Sequence, residues 1–341
     1  MTRWLASGGG RCVARGVPRS AALQPQQGGD EWGPQWVVLG VLVELPFRRG
    51  QVSCLPILFR LYLNTQSAAK HRRAYRPRPE LAVELLTLLC KHRETQRFHA
   101  VADSAYGGQS VWCHLPTNCD LTSRLLQNAR LYAAAGARKP GTNGRPRQRG
   151  ERLPTPRELL AERCRRVTLD IYGRREQARV ADPVAHVPAA PNRPLRVVAV
   201  EALKGGRGQE AFYSTRHDAT AEQVLGWYAR RWSIEVTHRD SKQHLGFEEP
   251  QGWSRRAVER MAPLAMLLDS LIVLWFAREG HRQWRPLVCP WYTTKTAPSF
   301  VDRLATLRRL SIRQQVLKWA IAGPGSRKLL QLLENTVALA I

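Results

Sequence analysis

Residues 36–45, Trp36-Val37-Val38-Leu39-Gly40-Val41-Leu42-Val43-Glu44-Leu45, form a nearly continuous apolar run rich in β-branched side chains. A run this short, with no polar alternation, reads as a buried strand. Residues 52–63 read as a second strand. Residues 79–92 have helical spacing, with Leu81, Leu85, Leu88 and Leu89 on one apolar face and Pro79 near the first helical position. Residues 97–102 read as a short strand ending at Asp103; Gly107-Gly108 breaks it and a helix follows. Residues 120–126 are a further strand candidate.

Beyond this the pattern loosens. Residues 136–154 are Gly-, Pro- and Arg-rich and read as a linker. Residues 163–172, 195–203 and 211–215 read as strands, the last two joined as a hairpin through Lys204-Gly205-Gly206-Arg207-Gly208. That turn is no phosphate loop, because a strand follows it and the Gly-Lys-Ser/Thr ending is absent. Thr220-Ala221-Glu222-Gln223 is a capping box that starts a helix running to about Leu245, where Gly246 offers a C-terminal cap. From Met261 on the chain is mostly helical, and Ser299 can cap a last amphipathic stretch carrying Phe300, Leu304, Leu307 and Leu310. Residues 262–277 are apolar but too short for a membrane span and carry Asp269 in the middle, so they read as a buried core helix, with no membrane partner.

Charge narrows the function classes. Lys and Arg number 53 against 27 Asp and Glu, a formal net charge of +26, which favours a polyanionic partner. An arginine-inflated, GC-rich genome would also raise the count. Seven scattered cysteines without a Cys-x-x-Cys pair exclude a familiar zinc site or disulfide framework and read as free, mostly buried thiols of a reducing cytosol.

On the helix from Thr220, the residues Tyr228, Arg231, Glu235 and Lys242 lie within about 60° of one another and span roughly 21 Å along the axis. A carboxylate flanked by two cations and a phenol suits a divalent ion and nucleic-acid phosphates; a solvated face of spaced ion pairs has the same spacing. Trp227, Trp232 and Trp253 could stack on bases, though core or groove packing is the commoner use. His238-Arg239-Asp240 looks like a kinase catalytic loop, but Leu245 stands where Asn is required.

The stretch Tyr228-Ala229-Arg230-Arg231-Trp232-Ser233-Ile234-Glu235, continuing to Lys242, resembles the Tyr-x2-Arg-x3-Glu-x6-Lys motif of one branch of the DDE transposases of bacterial insertion sequences. Gln243 to Glu248, Ala102-Asp103-Ser104-Ala105-Tyr106-Gly107-Gly108 and Trp36 to Gly40 are similar to the same family, so the likeness runs from about Trp32 to Leu310. The resemblance implies an α/β, RNase H-like mixed sheet with an inserted mainly β segment and a helical C-terminal tail. It implies that Asp103 and Glu235 are the second and third carboxylates of an Asp-Asp-Glu triad and ligate metal, and that Tyr228, Arg231 and Lys242 contact DNA. It further implies two Mg²⁺ ions, transposon ends and target as double-stranded DNA partners, a homodimer on DNA, and a cytoplasmic, nucleoid-associated location.

The domain boundaries that follow are a leader at 1–30, the first part of the catalytic domain at 31–128, an insertion at 129–215, the catalytic helix at 216–260 and C-terminal helices at 261–341. The family's first Asp belongs on the first, central strand. No acid precedes Asp30; Asp30 and Glu31 sit in a Gly-rich loop, and Glu44 lies at the far end of its strand. The expectation is therefore that the central first strand and its Asp are missing through truncation or frame disruption. Residues 1–30 then form an unstructured leader, and the chain is expected to bind transposon ends without performing the metal-dependent DNA cleavage and strand transfer that the resemblance implies; the alternative is a non-catalytic DNA-binding remnant.

Overall fold

In the computed structural model, the described residues are 3–11, 35–136, 147–171, 174–203, 208–247, 249, 254–286, 295 and 297–319. The chain divides into two compact units, Met1–Leu42 with Pro56–Glu235, and Val43–Leu55 with Val236–Ile341.

The first unit is built on a mixed sheet. Its strands are β1 (Arg3–Arg11), β2 (Gln35–Leu45), β3 (Arg48–Tyr62), β4 (Phe98–Ala102), β5 (Cys119–Leu125), β6 (Leu131–Tyr132) and β7 (Arg152–Leu153). β8 (Arg165–Ile171), β9 (Arg174–Ala181), β10 (Val184–Val187), β11 (Ala190–Ala202) and β12 (Glu210–Ser214) follow, and the ends of β2 and β3 reach into the second unit. The order is β3-β2-β1-β4-β5-β12-β11-β10-β6-β7, with β8 and β9 branching from β11. β1 runs parallel to β4, and β4 parallel to β5, while β12 returns antiparallel to β5. This is the mixed α/β arrangement expected of an RNase H-like fold.

Helices α1 (Thr65–Lys70), α2 (Arg78–His92), α3 (Gln109–Trp112) and α4 (Pro156–Glu162) accompany the sheet, with α5 (Ala221–Arg230) following β12. Every residue of β4 is buried, because both faces of the strand are covered. Phe98, Ala100 and Ala102 join Leu81, Leu85 and Leu86 of α2 in one core. Val101 joins Val224, Leu225 and Trp227 of α5 in another. His99 lies on that second side with its ring 4.3 Å from Trp227, and burial holds the imidazole neutral by pushing its pKa down to about 3.

The N-terminus differs from expectation. β1 fills the central position, pairing with β2 from Trp4↔Leu42 to Arg11↔Gln35 and with β4 from Arg3↔Phe98 to Ser7↔Ala102. The central strand is thus present, and residues 3–11 are not an unstructured leader. The physical reason is the demand of two flanking strands for hydrogen-bond partners, which backbone of any sequence can meet. Gly8-Gly9-Gly10 carries no apolar periodicity, so the sequence pattern holds no sign of it. The rest of the leader, with Asp30 and Glu31, lies outside the described residues, as do most of the 136–154 linker, Lys204 to Arg207 and Trp253.

The second unit is helical: α6 (Trp232–His244, its first turn in the first unit), α7 (Arg255–Arg278) and α8 (Phe300–Trp319). Gly246 ends α6 in the left-handed region, at φ +66, as a C-terminal cap should. Ser299 caps α8: its backbone N–H and hydroxyl each donate to the Asp302 carboxylate at 2.7 Å. α7 is long and apolar enough to cross a membrane by length and composition. Its inner face packs Ile272 and Val273 on Leu45, Leu55, Phe300 and Leu304. The expected buried core helix is core on that face alone, since Leu264, Leu267, Leu268, Leu271 and Leu274 are exposed. A 16-residue apolar stretch covers the whole circumference of a helix, whereas packing here occupies only one side.

Candidate functional site

Asp103 leaves β4 and caps a single 3-10 turn, Ser104–Tyr106, accepting the Ser104 N–H at 2.7 Å. The turn is fastened from below by residues of other strands. Ser123 of β5 donates its hydroxyl to the Asp103 carbonyl at 3.1 Å. The Tyr213 phenol of β12 donates to the Gly107 carbonyl at 2.9 Å and accepts from the Trp112 indole at 2.6 Å. Burial pushes the Tyr213 phenol well above its ordinary range, so it remains a donor. A Cβ at Gly107 would lie 2.5 Å from the Ser123 hydroxyl and 3.2 Å from the Tyr213 oxygen. Gly107→Ala is expected to destabilise the chain by about 1–3 kcal/mol through this overpacking, measured as a lowered urea midpoint with an unchanged slope. An unchanged midpoint would mean the turn is not clamped.

The motif helix begins as its sequence says. Thr220 and Gln223 form the reciprocal capping box, the Thr220 hydroxyl accepting the Gln223 N–H at 3.3 Å and the Gln223 side chain accepting the Thr220 N–H at 3.1 Å. The single helix expected to reach Leu245 is corrected. α5 ends at Arg230, Arg231 is its cap, and α6 starts at Trp232. Around the break, bonds tighten to three-residue spacing, from Arg231 N–H to the Tyr228 carbonyl and from Ile234 N–H to the Arg231 carbonyl, both 3.1 Å. β-branched and aromatic residues compete with smooth helix here, and periodicity alone cannot register a one-residue interruption.

Three motif residues nonetheless meet. Arg231 bonds Glu235 at 2.7 Å, with its side chain only 14% exposed, and its guanidinium lies 5.4 Å from the Tyr228 ring centroid. Burial opposes the Arg231 charge, but Tyr228, the Glu235 hydrogen bond and the Asp103 carboxylate outweigh it and hold the guanidinium above its ordinary pKa. Burial raises the Tyr228 phenol, against the neighbouring Arg231 and Arg124 cations. Asp103, Tyr228, Arg231 and Glu235 therefore form one electrostatic cluster in the first unit. Lys242, half-buried on the last turn of α6, belongs to the second unit, as does Glu44, which is exposed.

Trp227 is core, whereas Trp232 is 51% exposed. Sequence reasoning missed Ser123, Tyr213 and Arg124. A strand is expected at 120–126, but nothing in its residues says which side chains point toward Asp103.

β1 matters to this cluster by register. Ser7 pairs with Ala102, the last residue of β4, and Gly8 is the next residue of β1, while Asp103 follows Ala102 just beyond the strand end. The strand Arg-Trp-Leu-Ala-Ser-Gly-Gly-Gly-Arg holds no acid. Among the described residues, no group of three or more His, Cys, Asp or Glu could hold a metal ion.

A family model described as Transposase DDE domain matches residues 78–268, more than half of the chain. No curated protein matches it. The matched span begins at α2, holds the Asp103 turn and the α5–α6 motif, and ends within α7; on that match the chain belongs to the transposase DDE domain family.

Proposed function

We propose that this chain binds the DNA ends of a bacterial insertion sequence, of the branch with the Tyr-Arg-Glu-Lys motif, and neither cuts nor joins them. The observation that carries this reading is the convergence of Asp103, Tyr228, Arg231 and Glu235 beside a central strand that supplies no carboxylate. The net charge of +26 supports a polyanionic partner. Arg231 and Lys242 contact backbone phosphates, and a homodimer on the DNA brings two ends together.

The family reaction needs two Mg²⁺ ions held between three carboxylates. Oxygen donors are the right kind for Mg²⁺. Among the described residues their number is short, and Glu235 is already bonded to a guanidinium, so those residues do not fit a two-ion centre.

The deciding experiment is an end-cleavage and joining assay in Mg²⁺ or Mn²⁺, run beside a duplex-binding titration. The expected result is binding that weakens steeply with salt and no strand cleavage. Arg231→Ala and Lys242→Ala are each expected to weaken end binding by about 1–3 kcal/mol. Gly8→Asp is expected to create Mn²⁺ binding, read by electron paramagnetic resonance, that the parent lacks. Robust cleavage by the parent chain would refute the inactive reading, and failure to bind duplex at low salt would refute the whole proposal.

A further inference from the structure

Between α1 and α2 runs Lys70-His71-Arg72-Arg73-Ala74-Tyr75-Arg76-Pro77-Arg78, five fixed cations and a histidine without an acid. Residues 70–76 are all exposed. Such a run would ordinarily be a solvated, mobile loop, but its backbone is pinned. The Arg73 N–H returns to the Ala68 carbonyl at 2.9 Å and the Arg72 N–H to the Ala69 carbonyl at 3.0 Å, the paired bonds of a Schellman ending. Arg72 takes the left-handed position of that ending, at φ +51, and is the one non-glycine residue at positive φ among the described residues. Glycine is free there, while a side chain such as arginine's is strained by the clash of its Cβ with the following carbonyl. An arginine thus stands where it costs folding energy, and that kind of local strain clusters at functional surfaces.

The surroundings strengthen the same face. The Arg78 guanidinium lies 4.8 Å from the Tyr62 ring centroid, and Tyr62 meets Tyr75 edge-on at 6.4 Å. Tyr75 is 47% exposed, its phenol pKa raised by its hydrogen bond to Tyr62. Of the carboxylates beside this face, Glu84 is shared by Arg60 at 2.7 Å and Arg76 at 2.5 Å, and Glu80 acts on Tyr75 without outnumbering the five cations. The result is a fixed cationic ridge with an aromatic edge, complementary to a closely and regularly charged polyanion with a sugar and base surface.

We infer that residues 70–78 grip the backbone of double-stranded DNA, outside the Asp103–Arg231–Glu235 cluster. The inference rests on the reading of the chain as a DNA-binding protein and adds where the duplex is held. The test uses the full chain and a short duplex of arbitrary sequence, with anisotropy titrations across salt concentration. For Arg72→Ala/Arg73→Ala, binding is expected to weaken. The slope of log affinity against log salt should become shallower by about 2, near 0.9 for each phosphate that the protein no longer neutralises. Arg72→Gly separates function from folding: it is expected to melt at the same or a higher temperature, yet to reduce the slope by about 0.9. Unchanged affinity and slope in both variants, with a parent that binds, would overturn this inference alone. A parent that binds no duplex would overturn it together with the proposed function.

Discussion

Deleting residues 1–11 is expected to abolish cooperative folding of the first unit. β1 sits between β2 and β4 and bonds to both, so its removal strips two strand edges at once. Those edges are interior: Val37, Val38 and Leu39 of β2 and all five residues of β4 are buried. A buried backbone group without a partner costs about 1–3 kcal/mol, so a handful exceeds the roughly 5–15 kcal/mol that holds a domain together. The measurement is urea unfolding followed by tryptophan fluorescence, with amide exchange at Val38 and Val101 as the local probe. Loss of the transition and aggregation are the expected outcome. If the shortened chain kept the parent's midpoint and exchange protection, β1 would not be part of the sheet.

The largest effect from a single substitution is expected at Asp269. It sits on α7 at 2% exposure, with one carboxylate oxygen buried and without a hydrogen-bond partner. Burial, then Asp240 of α6, pushes its pKa up to about 8, while Arg303 of α8 pulls the other way. Asp269 and Asp240 in turn keep the buried Arg303 from falling further below its ordinary value. The Cys54 thiol of β3 also faces Asp269, and burial pushes it well up, so it stays neutral. Because the folded pKa exceeds the unfolded value near 3.8, the protonated carboxyl contributes stability that is complete below about pH 4. That contribution is lost progressively as pH rises from about 4 through about 8, on the order of 6 kcal/mol in all. Asp269→Asn keeps the shape and needs no proton. It should therefore be more stable than the parent by a margin that widens from pH 5 to 8, measured by urea midpoints across pH. A variant less stable than the parent at pH 8 would show Asp269 to be an ionised partner of Arg303.

The parts legible in the sequence are those where one local rule decides. Residues 36–45 are β-branched and apolar, and they are a strand; Thr220 and Gln223 bracket a helix start, and they form the capping box. Asp103 and Glu235 stand out through their neighbours, and the fold brings Asp103 into the electrostatic surroundings of Arg231, which binds Glu235. What is not legible depends on partners distant in the chain. β1 is a strand because β2 and β4 leave a place for it, and three consecutive glycines carry no periodic sign of that. Helical spacing gives no sign that most of the Arg231 side chain is packed against Glu235 and Tyr228, because helix geometry gives a face without saying what covers it. The exposed leucines of α7 show the same limit, since hydropathy reports composition and not packing.

The parallel pairing of Arg3 with Phe98 carries a consequence for synthesis. At about 5–20 residues per second, a ribosome that has finished β1 needs roughly 5–20 s more before β4 is made. Within that interval β2 is completed and can pair with β1 on its other side. Until β4 is made, one edge of β1 has no partner strand, and an unpaired edge of that kind is a template for pairing with another chain.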